Sequence, residues 1–323
     1  MNLRILITGA GGYLGRRLLE HLKQHQPDWQ LIATSRRTPF AQASTQLLWQ
    51  PLDVSDRTAV MAAFAAHRPH AVVHLAAVLN PPAGMSHEQL RTVEVDGTRH
   101  VLDAALANGC QQVIISSSGA AYGYHADNPA WLSEDMPLRG HPAFAYAQNK
   151  VAVEALLDDY RARHPQLKQL VLRISTVLGP STDNLISDLF RKSWVLGVRG
   201  SQSPFVFIWD ADVVEIIRLG LLERRSGCFN LAGDGAVPLA QIAAQLHKPF
   251  ITLPAWLLKG ALQVLSYWQL SQYHSEQVDF LRYRPVLCNR RLKEQFGYTP
   301  QLTSQQALTA FIAAQSSRLG GTA

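Results

Sequence analysis

A chain of 323 residues that is 47% hydrophobic holds enough apolar material for a large core, in one elaborated domain or two joined ones, and excludes a disordered chain. Its net charge of +6 comes from scattered Lys and Arg without a run of one sign, which argues against a nucleic-acid-binding tail, and no apolar stretch reaches the roughly 18 residues of a membrane span. Cys110, Cys228 and Cys288 lie far apart with no CxxC or Cys/His spacing, so neither a disulfide framework nor a metal site is expected. A reducing cytoplasm fits best, and the opening "LRILITGA" lacks the basic region, long apolar stretch and cleavage site of a secretory signal.

In chain order, apolar β-rich runs at residues 3–7, 31–35, 47–50, 71–75, 112–117 and 169–174 alternate with segments of helical period such as 13–24 and 57–67. The alternation predicts a parallel sheet covered by helices on both faces, with the first, fourth and fifth strands central: an α/β, Rossmann-like, doubly wound fold. After Gly179 the rhythm fades, prolines punctuate the chain, and two short runs, 205–208 and 228–231, read as returns to the sheet. We therefore expect a dinucleotide-binding Rossmann domain over 1–178, with returning segments near 205–232. A smaller, mostly helical C-terminal substrate lobe is expected over 179–204 and 233–323. In that lobe, 256–270 has helical period and Lys259 as its one charge, which points to core or pocket lining rather than a membrane surface.

The stretch "ILITGAGGYLGRRLLEHL" joins an apolar strand to an amphipathic helix through Gly9, Gly12 and Gly15. Glycines at these points permit a tight turn, let backbone N–H groups approach a pyrophosphate and let the helix pack close to the strand. The helix N-terminus adds its dipole. Gly9, Gly12, Tyr13, Leu14 and Gly15 are thus the expected phosphate turn of a dinucleotide site. The second strand ends in "ATSRRT", and no Asp or Glu occurs from Trp29 to Leu52. An NAD site usually offers a carboxylate to the ribose here, whereas a 2′-phosphate prefers Arg. Ser35 and Arg36, with Arg37, therefore favour NADP(H), with NAD possible; as solvated loop arginines they would carry no such meaning. Asp53 and Val54, in "PLDV", end the third strand where adenine would lie, and Asp53 with Ser55 equally spells a helix-capping turn.

The fifth strand ends in "VIISSSGAAYG", and "FAYAQNK" later places Tyr146 and Lys150 one helical turn apart. In parallel sheets ligands bind at the carboxyl ends of strands, so the serines finish where a nicotinamide would lie. A Tyr-x-x-x-Lys pair alone carries little meaning; with a glycine turn and a strand-end serine cluster it becomes specific.

These motifs resemble the extended branch of the short-chain dehydrogenase/reductase superfamily, the NAD(P)-dependent epimerase/dehydratase type. The likeness covers most of the chain: "TGAGGYLG", "LDV", "HLAA", "SSSGAAYG", "YAQNK", "LRISTVLGP", the Asp212 of "DADVV", "FNLAG" and "GYTPQLT". It implies Tyr146 as acid/base, Lys150 as the group that lowers its pKa and holds the nicotinamide ribose, and Ser118 as hydrogen-bond partner of the reacting oxygen. It also implies that Leu75, Ala76 and Ala77 flank the dinucleotide, and that helices 90–107 and 146–161 could pair in a homodimer, although the same stripes could be used against the sheet. Bringing a phenol from near pH ~10 to neutrality takes roughly 4 kcal/mol. An ammonium about 5 Å away at effective dielectric ~20 supplies on the order of 3 kcal/mol, with a cationic nicotinamide adding to it. Ser116, Ser117 and His74 read as hydrogen-bonded structural groups.

Three departures matter. "EVDGT" places Glu94 where this family commonly has Asn, which puts the associated proton path in doubt. Phe205 and Trp209 stand where members acting on nucleotide-sugars often carry Arg and His, so a less anionic, more apolar substrate is expected; Trp194, Trp256, Tyr267 and Trp268 agree with it, although large aromatics usually just fill core space. Gly119 and Ala120 follow Ser118 in place of the Asp/Glu pair of a sugar dehydratase, so elimination is the least supported chemistry. The expected function is hydride transfer at a carbinol or carbonyl carbon, leaning to an NADP-dependent reductase or dehydrogenase, with a nucleotide-sugar epimerase as alternative. A non-catalytic dinucleotide sensor is the alternative of another class.

Overall fold

The computed structural model describes residues 3–36, 44–79, 81–82, 84–183, 187–189, 192–267 and 278–320. The chain opens with β1 (Arg4–Thr8), α1 (Tyr13–His25), β2 (Gln30–Ser35), β3 (Leu47–Pro51), α2 (Arg57–His67) and β4 (Ala71–His74). Then come α3 (His87–Arg91), a π turn (Thr92–Asp96) and α4 (Gly97–Ala107), followed by β5 (Gln112–Ser118), α5 (Ala145–Arg163), β6 (Lys168–Ile174) and β7 (Thr176–Leu178). The remainder comprises β8 (Val195–Val198), β9 (Phe207–Trp209), α6 (Asp210–Leu222), β10 (Gly227–Leu231), α7 (Leu239–Gln245), β11 (Phe250–Leu253), α8 (Ala255–Tyr267), α9 (Val278–Arg282), α10 (Arg290–Glu294) and α11 (Ser304–Gly320).

Seven strands form one sheet in the order β10-β6-β5-β4-β1-β2-β3, and every pairing from β3 through β5 is parallel. Ile5, Leu6 and Ile7 of β1 are all fully buried, because a sheet covered on both faces needs continuous apolar strands rather than alternating ones. The strand order reverses between β1 and β4, which marks the carboxyl ends of these strands as the place where such folds bind ligands. Of the two late runs, 228–231 joins the sheet as edge strand β10. The run at 205–208 does not; its strand β9 pairs with β7 in a separate two-stranded sheet.

The chain divides into two compact units. The first holds Met1–Ala121, Ala145–Arg173 and Asp210–Phe229; its core joins Leu6, Ile32, Phe64, Val72, Val113 and Val171. Val101, Leu102, Ala104 and Ala105 of α4 and Val153, Leu156 and Leu157 of α5 are buried in the same cluster. The second holds Tyr122–Phe144, Ile174–Trp209 and Asn230–Ala323, with Phe205, Phe207, Ile242, Leu308 and Phe311 in one apolar cluster.

Helix α1 buries Gly15, Leu18, Leu19 and Leu22, an i, i+3, i+4, i+7 stripe. Each buried Leu contributes about 1.5–3 kcal/mol. A Cβ added at Gly15 would lie 2.4 Å from the Gly9 carbonyl oxygen, a backbone atom that cannot rotate away. Gly15→Ala is therefore expected to push α1 off the turn and cost about 1–3 kcal/mol. A denaturant titration checks this; an unchanged midpoint would show that the turn yields.

Candidate active site

The turn between β1 and α1 is built for close approach. Gly9 has φ +68, and a Cβ there would lie 2.7 Å from Leu75 and Ala76 backbone atoms at the end of β4. Gly12 caps α1 with no side-chain hydrogen bond, and its N–H donates to the Gly9 carbonyl at 2.9 Å, so the first-turn amides are left for an external anion. Tyr13 and Leu14 open the helix. The Tyr13 phenol donates at 2.5 Å to Oδ2 of buried Asp210, which also accepts from Arg17 Nε at 2.8 Å. The Tyr13 side chain is thus tied to α6, and only its backbone faces the turn.

Beyond the turn, Ser35 ends β2 beside Gly11, and exposed Arg36 lines a cleft of about 460 Å³ with Asp53, Ser55, Met85 and Gln89. Arg37 lies outside the described residues. Asp53 Oδ1 accepts from the Ser55 amide at 2.9 Å and its hydroxyl at 2.7 Å, so the turn-forming role read from the sequence is present, while the cap of α2 is Asp56. Buried Val54 lies against Gly97, and half-buried Leu75, Ala76 and Ala77 follow β4. A glycine cradle that any Cβ would fill, a helix start without a side-chain cap and a cation at the end of β2 together fit a dinucleotide.

Ser118, Tyr146 and Lys150 come together at the end of β5. Lys150 Nζ is 5.2 Å from the centre of the Tyr146 ring and donates to the Ser116 carbonyl at 3.4 Å. The Ser118 hydroxyl hydrogen-bonds the phenol and also accepts from the Ala120 amide at 3.2 Å. Burial pushes the Tyr146 phenol up, Lys150 pulls it down, Glu94 pushes it up and the Ser118 bond pulls it down; the net direction is upward. The expected pull of Lys150 is present, but burial outweighs it.

His74 is not a base in this arrangement. Thr98 Oγ1 donates to the Glu94 carbonyl at 2.5 Å, so His74 Nε2–H donates to Thr98 Oγ1 at 3.1 Å and Nδ1 accepts from Thr8 Oγ1 at 2.7 Å. Both nitrogens are used, and burial with Lys150 pushes the imidazole down to about 3. Ser116 Oγ donates to the His74 carbonyl at 3.3 Å, and Ser117 Oγ donates to Glu154, which is held in the buried Arg173 pair.

In the second unit, Phe205 is buried and stacks on Phe207, and the Arg284 guanidinium lies 3.8 Å from the Phe205 ring centre. Among the described residues no carboxylate acts on Arg284. Phe205, which stands where a cation is often found, thus has the Arg284 guanidinium against its ring. The expectation of core lining for 256–270 is corrected. Trp194 and Trp256 are 46% and 74% exposed, and Leu257 is exposed too, so the start of α8 does not line the core at these positions. Trp268 and the Tyr267 side chain lie outside the described residues. Among the described residues, no helix is long and apolar enough to cross a membrane, and no group of three metal-ligating side chains occurs.

Residues 5–221 match the NAD dependent epimerase/dehydratase family. The chain belongs to that family. Within the family's wider circle, a UDP-glucose 4-epimerase of Erwinia amylovora is 30% identical over 185 residues, 54% of this chain and 53% of its own. A 3-diazoavenalumate denitrifying reductase of a Streptomyces species is 28% identical over 275 residues, 80% of this chain and 86% of its own. Among solved structures, the Thermotoga maritima UDP-glucose 4-epimerase with UDP-glucose has a TM-score of 0.77 at 20% identity, covering 98% of this chain and 100% of that one. The Bordetella bronchiseptica enzyme WbmG, in complex with NAD and UDP, has a TM-score of 0.76 at 20% identity, covering 98% and 95%. At these identities the structural likeness establishes the epimerase fold.

Proposed function

We propose that this epimerase/dehydratase-family enzyme transfers hydride at a carbinol or carbonyl carbon with Tyr146 as its acid/base, and that it prefers NADP(H). The observation that carries the reading is the meeting of Ser118, Tyr146 and Lys150 at one strand end. Gly9, Gly12, Leu14 and Gly15 with the Tyr13 backbone would hold the pyrophosphate, Asp53, Val54, Leu75, Ala76 and Ala77 would flank the nucleotide, and Arg36 would meet a 2′-phosphate. When bound, the nicotinamide supplies or accepts the hydride. Tyr146 Oη gives or takes the proton at the reacting oxygen. Ser118 Oγ keeps the phenol aligned and bonds the same oxygen, and Lys150 stabilises the phenolate. A cytoplasmic enzyme is part of this reading.

Likeness to the Streptomyces reductase over most of both chains supports a reductase or dehydrogenase. A second reading, nucleotide-sugar epimerisation, draws support from Arg284, a cation against Phe205 suited to a phosphate, and from the epimerase relatives. A panel of carbonyls, alcohols and UDP-sugars separates them. A reductase consumes NADPH in proportion to product, whereas an epimerase interconverts the sugar with no net change in cofactor.

Arg36→Ala tests the cofactor choice. Loss of one phosphate contact is expected to weaken NADPH by about tenfold or more, as charged hydrogen bonds are worth roughly 1.5–3 kcal/mol, and to leave NADH unchanged. Fluorescence titration of both nucleotides measures it. Tighter NADH than NADPH binding by the unmodified chain would defeat the NADP preference.

A further inference from the structure

The helix that carries residues 87–107 is not continuous. A single π turn, Thr92–Asp96, interrupts it, and this wider turn carries Glu94 and Val95 inward, both buried. Val95 joins the apolar core; Glu94, with 1% exposure, brings a carboxyl into the interior. Its Oε1 accepts from the Val78 amide at 3.2 Å, and its Oε2 has no hydrogen-bond partner among the described residues. On α5, which packs against the π turn, Asn149 Nδ2 is likewise buried without a partner. The next residue is Lys150, itself buried beside Tyr146. The Lys150 ammonium acts on both the Glu94 carboxyl and the Tyr146 phenol.

We propose that Glu94 is a proton-exchanging group of the Tyr146–Lys150 site, a buried carboxyl that stores and returns the proton the phenol gains and loses. The inference rests on the proposed role of Tyr146. An amide at this place donates and accepts hydrogen bonds but holds no exchangeable proton near neutrality; a carboxyl does both. When the phenolate takes a proton from a substrate hydroxyl and releases it again, the Glu94 carboxylate takes up one proton by way of water, while the Lys150 ammonium, which donates to the Ser116 carbonyl, keeps its charge and stabilises both anions. In the reverse direction the carboxylic acid gives it back. One proton moves, and no other bond is made or broken.

The charges around Glu94 agree with this role. Burial pushes its carboxyl up, against the pull of Lys150, the Val78 amide and Asn149, whose side chain lies near enough to favour the carboxylate without closing a hydrogen bond in this structure. Ionised Glu94 in turn pushes the Tyr146 phenol up, so the two titrate as a coupled pair. His74 is the nearby titratable group of β4; its Nε2 bonds Thr98 Oγ1, which donates to the Glu94 backbone carbonyl rather than to its carboxyl, and burial with Lys150 pushes the imidazole down to about 3, which keeps it neutral.

The test uses the full chain without substrate. Carboxyl carbons of glutamate are labelled and followed by NMR as pH rises, and the near-ultraviolet phenolate absorbance is titrated alongside, with Glu94→Gln and Tyr146→Phe assigning the two steps. The expected result is one carboxyl signal, absent in Glu94→Gln, that titrates above the other glutamates and moves higher still in Lys150→Met. The phenolate step absent in Tyr146→Phe is expected to move to lower pH in Glu94→Gln, because the ionised carboxylate no longer opposes the phenolate, whereas a pure packing role of Glu94 would leave that step in place. Should Glu94→Gln not fold, Glu94→Asp assigns the signal and Lys150→Met still reads the coupling. A Glu94 signal that titrates with the ordinary glutamates, or one unmoved by Lys150→Met, overturns the proposal. NADPH titration of the same samples keeps the two ideas separate: failure to bind it sinks the proposed function, while the coupling in the free protein is still read.

Discussion

Tyr146→Phe is expected to bind NADPH as tightly as the unmodified chain and to lose turnover by about 10²–10⁴-fold, the usual contribution of a positioned acid/base. The substitution removes one oxygen and keeps the ring beside Lys150, so the surroundings that hold the side chain are preserved. It also removes the acceptor of the Ser118 hydrogen bond, which leaves the serine bonded to the Ala120 amide. Single-turnover measurement of NADPH oxidation, with binding followed by fluorescence, separates chemistry from affinity. Equal turnover in both proteins would remove Tyr146 from the chemistry. Equal binding with no turnover in either, across the whole panel, would favour a dinucleotide sensor.

The largest effect on stability is expected at Glu154 and Arg173. Their side chains are 6% and 9% exposed, and the guanidinium gives the carboxylate bonds of 2.7 Å from Nη2 and 3.0 Å from Nε. Glu154 also accepts from Ser117, the neighbour of Ser118, so this pair fixes the last residues of β5 from behind. Glu154→Leu leaves a buried guanidinium without its counter-charge and is expected to cost about 3–5 kcal/mol, whereas Glu154→Leu with Arg173→Met removes both charges and is expected to recover most of it. Urea unfolding of the two variants measures the difference. A single variant within about 0.5 kcal/mol of the unmodified chain would show that water reaches the pair and screens it.

Much of this architecture is legible in the residues because a doubly covered sheet demands long apolar runs. Residues 3–7, 31–35, 71–75 and 112–117 announce themselves as strands, and their alternation with helices fixes which lie at the centre. The π turn is not legible: one inserted position leaves the apolar composition of 90–107 unchanged, and only the crowding of Gly97 against Val54 hints at the altered phase. The run at 205–208 looks like a main-sheet strand because Phe205, Val206, Phe207 and Ile208 are all buried, and burial does not say by which sheet. Ser118, Tyr146 and Lys150 are readable from their order along the chain, and Glu94 as a departure whose sense needs its surroundings. Arg284 carries no local signal at all, since its partner ring is far away in sequence. In α8, scarcity of charge reads as concealment, yet Trp256 lies open to solvent.

Strand β10 completes the sheet beyond β6 although a long stretch of chain separates the two. During synthesis β6 therefore emerges from the ribosome with one side of its backbone unsatisfied, and it stays so until residues 227–231 follow. A nascent chain stalled in that interval presents a row of unpaired backbone N–H and C=O groups along β6, a template on which a strand of another chain can pair.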